Sequence, residues 1–450
     1  MHGRLVKNAA HRFAKIAISW QTALAASCMV IGGVTPQSAN AEGPRQLTLV
    51  IGGDLGLGGS RQRVDPRGAR RHGQLYPWKE LTRSLETLID GDVNFANLES
   101  IVTSRNTLRA ARKTFVFRSH PVGVQHLVEI GFNLLSTANN HVRDYGANGM
   151  RETLAELEKL RPHGLLAFPG LGQTREDAGG PSAAIVRGHT LLISAIGIGG
   201  PRPTETRPGI LGYRAGQDFD EAVSRLSRKQ GSYRMLSVHY GRERSIRPRT
   251  ADFKKLRDQA VRDNGIDLVI GHHAHVARGV QLVNGRLIFY GLGNLLHPGM
   301  QNMAKFGLCQ DYGLLAKLHL VAKENDRLSA KAIEVWPLEQ MHLKSRRMSG
   351  KAAKRRLAVL NSLASELDDA ASGARGVQFR AREDGSGLAC LSGAAESDGR
   401  IGELCRSWAA LASPTEKSRT ARCKQRRYAR AGRVTRNYKR RSKRKIRRRK

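Results

Sequence analysis

From residue 46 onward the chain alternates short apolar runs with amphipathic stretches. "QLTLVIGGD" (46–54) is a continuous apolar run closed by glycines, as a buried strand reads. "WKELTRSLETLID" (78–90) repeats apolar residues at helical spacing, and "VNFANLES" (93–100) is strand-like again. The alternation continues through helix-like "PVGVQHLVEIG", strand-like "NLLSTAN" (133–139) and helix-like "NGMRETLAELEKL" (148–160). "AAIVRGHTLLISAIGI" has a hairpin pattern, "YRMLSVHYG" (233–241) reads as a strand, and "ADFKKLRDQAVRDN" (251–264) as a helix before the strand "DLVIGH" (267–272). In "VQLVNGRLIFYGLGN", Asn284-Gly285 between apolar runs predicts a tight hairpin turn. "YGLLAKLHLVA" and "AIEVWPLEQM" add two strands. Strands interleaved with helices and hairpins predict an α/β fold with mixed sheets. Residues 346–415 read as a helical appendage and linker, and no internal repeat is present.

Charge changes this picture at both ends. The 450 residues carry a formal net charge of +38. Residues 416–450 hold 19 basic residues and one acidic residue, a block that repels itself and predicts a disordered cationic arm. Such a charge favours acidic partners: an anionic polymer, a membrane surface or nucleic acid. At the other end, basic "MHGRLVKNAAHRFAK", apolar "IAISWQTALAASCMVIGGV" and the small-x-small Ala39-Asn40-Ala41 predict a secretory signal peptide over residues 1–41. The alternative is an uncleaved N-terminal anchor. Export, to the periplasm or cell envelope, makes nucleic acid an unlikely partner and permits disulfides. Cys309, Cys390, Cys405 and Cys423 follow the cleavage site with no CxxC spacing, which excludes a zinc ribbon and leaves room for one bridge among the last three.

Polar residues gather where the strands end. Asp54 closes the first strand, Asn97 and Glu99 the second, and Asn139, Asn140 and His141 the strand near 135. His239 follows "MLSV", and His272, His273 and His275 follow "DLVI". Open α/β sheets form their ligand crevice at the carboxyl ends of strands. Mixed carboxylate, carboxamide and imidazole donors suit manganese, iron or zinc. Each signal alone has a plainer reading. Asp54 could cap a turn, Asn140 could cap a helix with His141 in solvent, and His239 could be a core histidine beside a surface ion pair. The glycines of "GGDLGLGG" do not fit a dinucleotide fingerprint, and Asp54 would repel a pyrophosphate there.

In this order, "GD" at 53–54, "NLES" at 97–100, "ANNHVRDYG" at 138–146, "HYGRE" at 239–243, "GHHAHV" at 271–276 and "YGLGNLL" at 290–296 resemble the motif series of the CapA family. These are poly-γ-glutamate capsule synthesis proteins related to calcineurin-like metallophosphoesterases. The resemblance covers roughly residues 46–345 and implies a four-layer α/β/β/α sandwich of two mixed sheets with one or two divalent metal ions at one edge. It implies Asp54, Glu99, Asn140, His239, His273 and His275 as metal ligands and His141 as the catalytic proton donor. Asn97, Asn139, Tyr240, Glu243, His272 and Asn294 would orient ligands or substrate. Two departures stand out: Gly56 replaces the histidine of an Asp-x-His motif, and Glu99 replaces a bridging aspartate. The expected activity is hydrolysis of a phosphoester or polymer amide, with poly-γ-glutamate or a cell-envelope surface as the anionic partner. The alternatives are a non-catalytic capsule-assembly or polymer-binding protein on the same scaffold, and a cationic surface protein whose arm carries the function.

Overall fold

The computed structural model describes residues 46–414; the segments expected as a signal peptide and as a cationic arm lie outside the described residues. Two mixed sheets are flanked by helices, giving the expected α/β sandwich. The first sheet is nine-stranded. Its main path runs through 380–381, 387–390, 328–339, 313–322, 46–55, 93–98 and 134–136, with 294–296 parallel to 46–55. The seven-stranded second sheet runs 374–376, 280–283, 286–289, 268–272, 233–239, 189–197 and 182–186.

Alternation along the strands explains the layering. In the second sheet Leu191, Ile193, Met235, Leu268, Ile270, Leu287 and Phe289 join the core shared with the first sheet. Their neighbours Leu192, Leu236, Val238, Val269, Ile288 and Tyr290 face a separate core on the helix side. Successive side chains point to opposite faces, so one strand serves two layers. The helix Gly216–Arg228 closes that second core with Phe219, Ala222, Val223 and Leu226, the i, i+3, i+4, i+7 stripe of an amphipathic helix. Between the sheets, the Ser237 and Ser136 hydroxyls meet at 2.9 Å. The Asn284-Gly285 turn forms as expected: both residues have positive φ (48° and 79°), joining 280–283 to 286–289.

The stretch 346–415, expected as an appendage and linker, is instead woven into both sheets through its described residues, which end at 414. The strand Ala374–Gly376 pairs with 280–283, and Gly387–Cys390 pairs with 328–339. The helix Gly350–Ser365 buries Leu357, Leu360 and Leu363 in the main core. The strands are only three and four residues long, too short for period-2 patterning to register in a ragged sequence. Among the described residues no helix is long and apolar enough to cross a membrane.

A disulfide joins Cys390 to Cys405, 15 residues apart, and clamps the strand Gly387–Cys390 to the helix Gly399–Arg406. Leu388, Ala394, Ile401 and Leu404 form a small core beneath it. Closing a loop of this length removes about 3 kcal/mol of unfolded-chain entropy. The double variant Cys390→Ser, Cys405→Ser is therefore expected to lose about that much unfolding free energy in a denaturant titration. An unchanged midpoint would show that the clamp contributes nothing to stability.

Candidate metal centre

Strand register assembles the site. In the first sheet Asp54 lies opposite Asn97 on one neighbouring strand and opposite Asn294 on the other. In the second sheet His239 lies opposite His272. All these strands are parallel, so their carboxyl ends fall on one rim. Asp54 then ties the sheets together. One carboxylate oxygen accepts from the Asn97 amide at 2.8 Å, the other from the backbone N–H of His273 at 3.1 Å and the ring of His275 at 3.1 Å.

His273 and His275 reach the cluster by an unexpected route. Strand alternation would aim both rings to one side, but the strand ends at His272. Past it, His273 and His275 adopt left-handed backbone conformations (φ 78° and 54°), and their rings come 5.9 Å apart. Non-glycine residues held there store strain, which concentrates at functional sites. The Nδ1 of His275 meets the Asn294 amide oxygen at 2.8 Å, fixing that ring.

Glu99 lies at the centre. Its carboxylate is fully buried, and neither oxygen has a hydrogen-bond partner. Imidazole nitrogens ring it: His239 at 3.3 Å, His141 and His297 at 3.8 Å, His275 at 3.9 Å. Nδ1 of His273 and both ring nitrogens of His272 and His297 are likewise buried without a hydrogen bond. Buried polar atoms are rarely left so, because each costs about 1–3 kcal/mol. Glu99, His273 and His275 each offer a donor atom within 4.8 Å of the others, so the orphaned atoms have the placement and chemistry to hold a divalent metal ion.

Four imidazoles agree with that reading, while His275 would have to give up a proton to an incoming ion. Burial pulls His239 and His272 down to about 4, His273 to about 2 and His297 to about 3, leaving neutral imidazoles suited to ligation. Burial also opposes charge on His275, but Glu99 and its hydrogen bond to Asp54 outweigh it and push it up to about 10. Burial alone would raise Asp54; the hydrogen bond and charge of His275 carry it below the usual carboxylate range instead. Glu99 is raised by burial and by the nearby Asp54 charge.

The remaining expected residues divide clearly. The Asn140 amide oxygen accepts from His239 Nε2 at 2.6 Å, and Asn139 donates to the Leu98 carbonyl at 2.8 Å while accepting from the His141 N–H at 3.1 Å. His141 meets the buried Asp144 carboxylate through Nδ1 at 2.6 Å, and Lys113 lies 2.5 Å from the same carboxylate. His272 is fully buried, 3.9 Å from Asp54 and packed on Phe95. Tyr240 corrects the expectation of a site role: its hydroxyl donates to the Tyr290 carbonyl at 2.9 Å inside the helix-side core. His239 faces the rim, so its neighbour must face away. Sequence reading missed Asp144, three residues after His141, Lys113, and His297, which directly follows the "GNLL" segment.

Two clefts open on this cluster and share exposed Glu243. One, about 500 Å³, is lined by Arg214, Arg242, Arg244, Arg249 and His273. The other, about 380 Å³, is lined by Arg71, Phe117, His141, His275 and Asn302. Among the described residues Arg214, Arg242 and Arg244 have no carboxylate partner; Arg244 lies over the Phe306 ring. The buried Arg278 guanidinium donates to the Ser245 carbonyl at 2.7 Å and holds the loop that carries three of the lining residues.

The chain is 30% identical over 207 residues to the PGA biosynthesis protein CapA of Bacillus subtilis (strain 168), a match covering 44% of this chain and 52% of that protein. To the capsule biosynthesis protein CapA of Bacillus anthracis it is 25% identical over 258 residues, 56% of this chain and 60% of that one. To a probable polyglutamine synthesis accessory protein of Mycobacterium tuberculosis it is 25% identical over 296 residues, 57% of this chain and 76% of that one. The chain thus spans between half and two thirds of the two Bacillus proteins. The family model described as bacterial capsule synthesis protein PGA_cap matches residues 48–298, a span running from the first strand to just past His297. Covered over more than half its length by that model, the chain belongs to the bacterial capsule synthesis protein PGA_cap family.

Proposed function

We propose that this protein is an exported, metal-dependent hydrolase of capsule or poly-γ-glutamate synthesis, acting on a phosphoester or on an amide of the polymer. The observation that carries the reading is the orphaned Glu99 carboxylate among imidazoles, with the His141–Asp144 pair beside it and two clefts above. Glu99, His273 and His275 would hold a divalent ion, with Asp54, His239 and Asn140 adjoining them. Manganese, iron or zinc suits these donors, and such an ion would supply Lewis acidity toward a substrate oxygen.

This chain's own residues do the rest. Asp144 fixes Nδ1 of His141, which turns Nε2 toward Glu99 and the cleft. When that nitrogen carries a proton it can pass it to a departing group. Arg214, Arg242 and Arg244 favour an anionic substrate, because guanidinium forks match carboxylate and phosphate. The relatives named for capsule and PGA biosynthesis support a polymer of that charge, as do the arginine lobe and the basic composition. A disulfide fits an oxidising compartment and so supports export. The arginine lobe equally favours the second reading, in which the scaffold binds polymer during capsule assembly without turnover.

Three outcomes test these readings. His273→Ala with His275→Ala should strip most of the metal, read by elemental analysis of the purified full chain; full occupancy would remove the assigned site. His141→Ala should keep the metal yet lower hydrolysis of a generic aryl phosphate by ~10²–10⁴. Metal loss matching that of Asp54→Ala would instead make His141 a ligand, and absence of turnover in the wild type would favour the binding reading. Arg214→Ala with Arg242→Ala should weaken retention on immobilised poly-γ-glutamate about tenfold with metal content unchanged, as the loss of one or two charge-assisted hydrogen bonds requires. Equal retention would remove the polymer from the cleft.

A further inference from the structure

The second cleft is walled in part by two loops that the reading above leaves without a task, residues 60–67 and 103–117. They hold little regular structure, yet they are fastened to one another along their length. Asn106 accepts from the Val64 N–H at 2.8 Å and donates to the Val64 carbonyl at 3.1 Å. The Arg61 N–H donates to the Val116 carbonyl at 3.1 Å, and the Val116 N–H to the Ser60 hydroxyl at 3.2 Å. The buried Arg118 guanidinium donates to the Gln62 and Arg105 carbonyls, both at 3.1 Å, and lies 4.9 Å over the Tyr145 ring. A network satisfied this fully makes one platform of fixed shape from two loops.

The charges of the platform are unevenly matched. Arg67 and Arg70 pair with Asp65, Arg105 with Glu152 and Lys113 with Asp144. Exposed Arg63, Arg109 and Arg112 have no carboxylate partner among the described residues. Burial lowers Arg118, and the charge of Arg63 acts in the same direction, so like charges are gathered here. Arg61 keeps its backbone in the left-handed region (φ 60°), a strain that a non-glycine residue holds only where its surroundings enforce it.

Phe115 adds an apolar element. Its ring is 57% exposed, and a single exposed ring is ordinary on any surface. This one heads a row: it stacks on Phe117 with centroids 6.5 Å apart, and Phe117 meets His141 at 4.4 Å. All three rings line the second cleft, so the row leads from solvent to the proposed proton donor. Unmatched guanidiniums beside an aromatic face suit a chain that alternates carboxylates with short runs of methylene. A phosphate polymer would engage the charges and leave Phe115 idle.

The two clefts meet at Glu243, His273 lining one and His275 the other. A chain lying in both crosses the cluster by its interior and not by its end. We propose that residues 60–63 and 109–115 form a second subsite for an anionic polyamide such as poly-γ-glutamate, which together with the arginine lobe holds an internal stretch of the chain over the cluster. This rests on the polymer reading above and adds which part of the polymer is held. One chain spanning two linked subsites binds more tightly than either alone would hold it.

The test uses the full chain and hydrogen exchange read by mass spectrometry, titrated with poly-γ-glutamate blocked at both ends. Exchange over residues 60–67 and 103–117 reports the platform directly, apart from any binding by the cationic arm. In the wild type the polymer should slow exchange there and over residues 241–245 within the same concentration range. The joint change Arg63→Gln, Arg109→Gln, Arg112→Gln should raise the concentration for half-protection of the platform about tenfold, as the loss of three exposed ion pairs worth a few-fold each requires. Its unfolding midpoint and metal content should match the wild type. Phe115→Ser should weaken protection by poly-γ-glutamate and leave protection by polyphosphate unaltered; equal weakening toward both overturns the assignment of an aliphatic carboxylate chain. Protection over 241–245 without protection of the platform overturns the proposal and leaves the arginine lobe as the polymer site. Protection by free-ended but not by blocked polymer overturns the internal placement. Protection of neither region removes the polymer reading as well.

Discussion

The Asp54 carboxylate is the point at which the two sheets are held in one relation. It belongs to the central strand of the first sheet, yet one of its oxygens is engaged by the turn that leaves the second. Serine hydroxyls and apolar side chains also join the sheets, but those contacts tolerate small slips. A carboxylate accepting an amide, a backbone N–H and an imidazole at about 3 Å does not. The left-handed backbone at His273 and His275 is tied to the same anchor, since the His273 N–H donates to Asp54 from that turn. Strand register, turn strain and ring placement are in this sense one arrangement.

Around that anchor the balance of charge is the governing difficulty. A folded core does not ordinarily enclose two carboxylates and a ring of imidazoles with hydrogen bonds left unmade. Asp54 resolves its own burial through donors. Glu99 does not, because the groups around it are ring nitrogens whose geometry gives no hydrogen bond. The polar shell is meanwhile well made: Asn294 on His275, Asn140 on His239, Asp144 on His141. Outer groups fixed while inner ones stay open is the order in which metal centres are built.

Much of this was legible because strand ends are legible. Apolar runs closing on Asp54, Asn97, Glu99, His239 and His272 could be lined up without coordinates, since parallel strands share an edge. What the sequence hid depends on register or on small scale. His297 arrives through pairing between strands some 240 positions apart, which no local pattern encodes. Asp144 sits on a turn after His141, where nothing in "HVRD" distinguishes it from a solvent-facing acid. Tyr240 was open to inspection: alternation past an inward His239 turns it toward the helices. The stretch after 346 hid its strands because three or four residues are too few to show a period.

Gly53 shows how a signature can outlive its chemistry. A Cβ at this position would lie 2.0 Å from the Gly293 carbonyl oxygen, the group that accepts the Asp54 N–H at 2.9 Å. The two backbones touch, so any larger residue at 53 would push apart the strand that carries Asp54 and the segment leading to Asn294. The glycine is thus demanded by the scaffold whether or not anything is hydrolysed. A relative that catalysed nothing would still have to spell glycine before its aspartate. In sorting such proteins into working and retired members, the glycine carries no vote, and the imidazoles that no packing requires carry most of it.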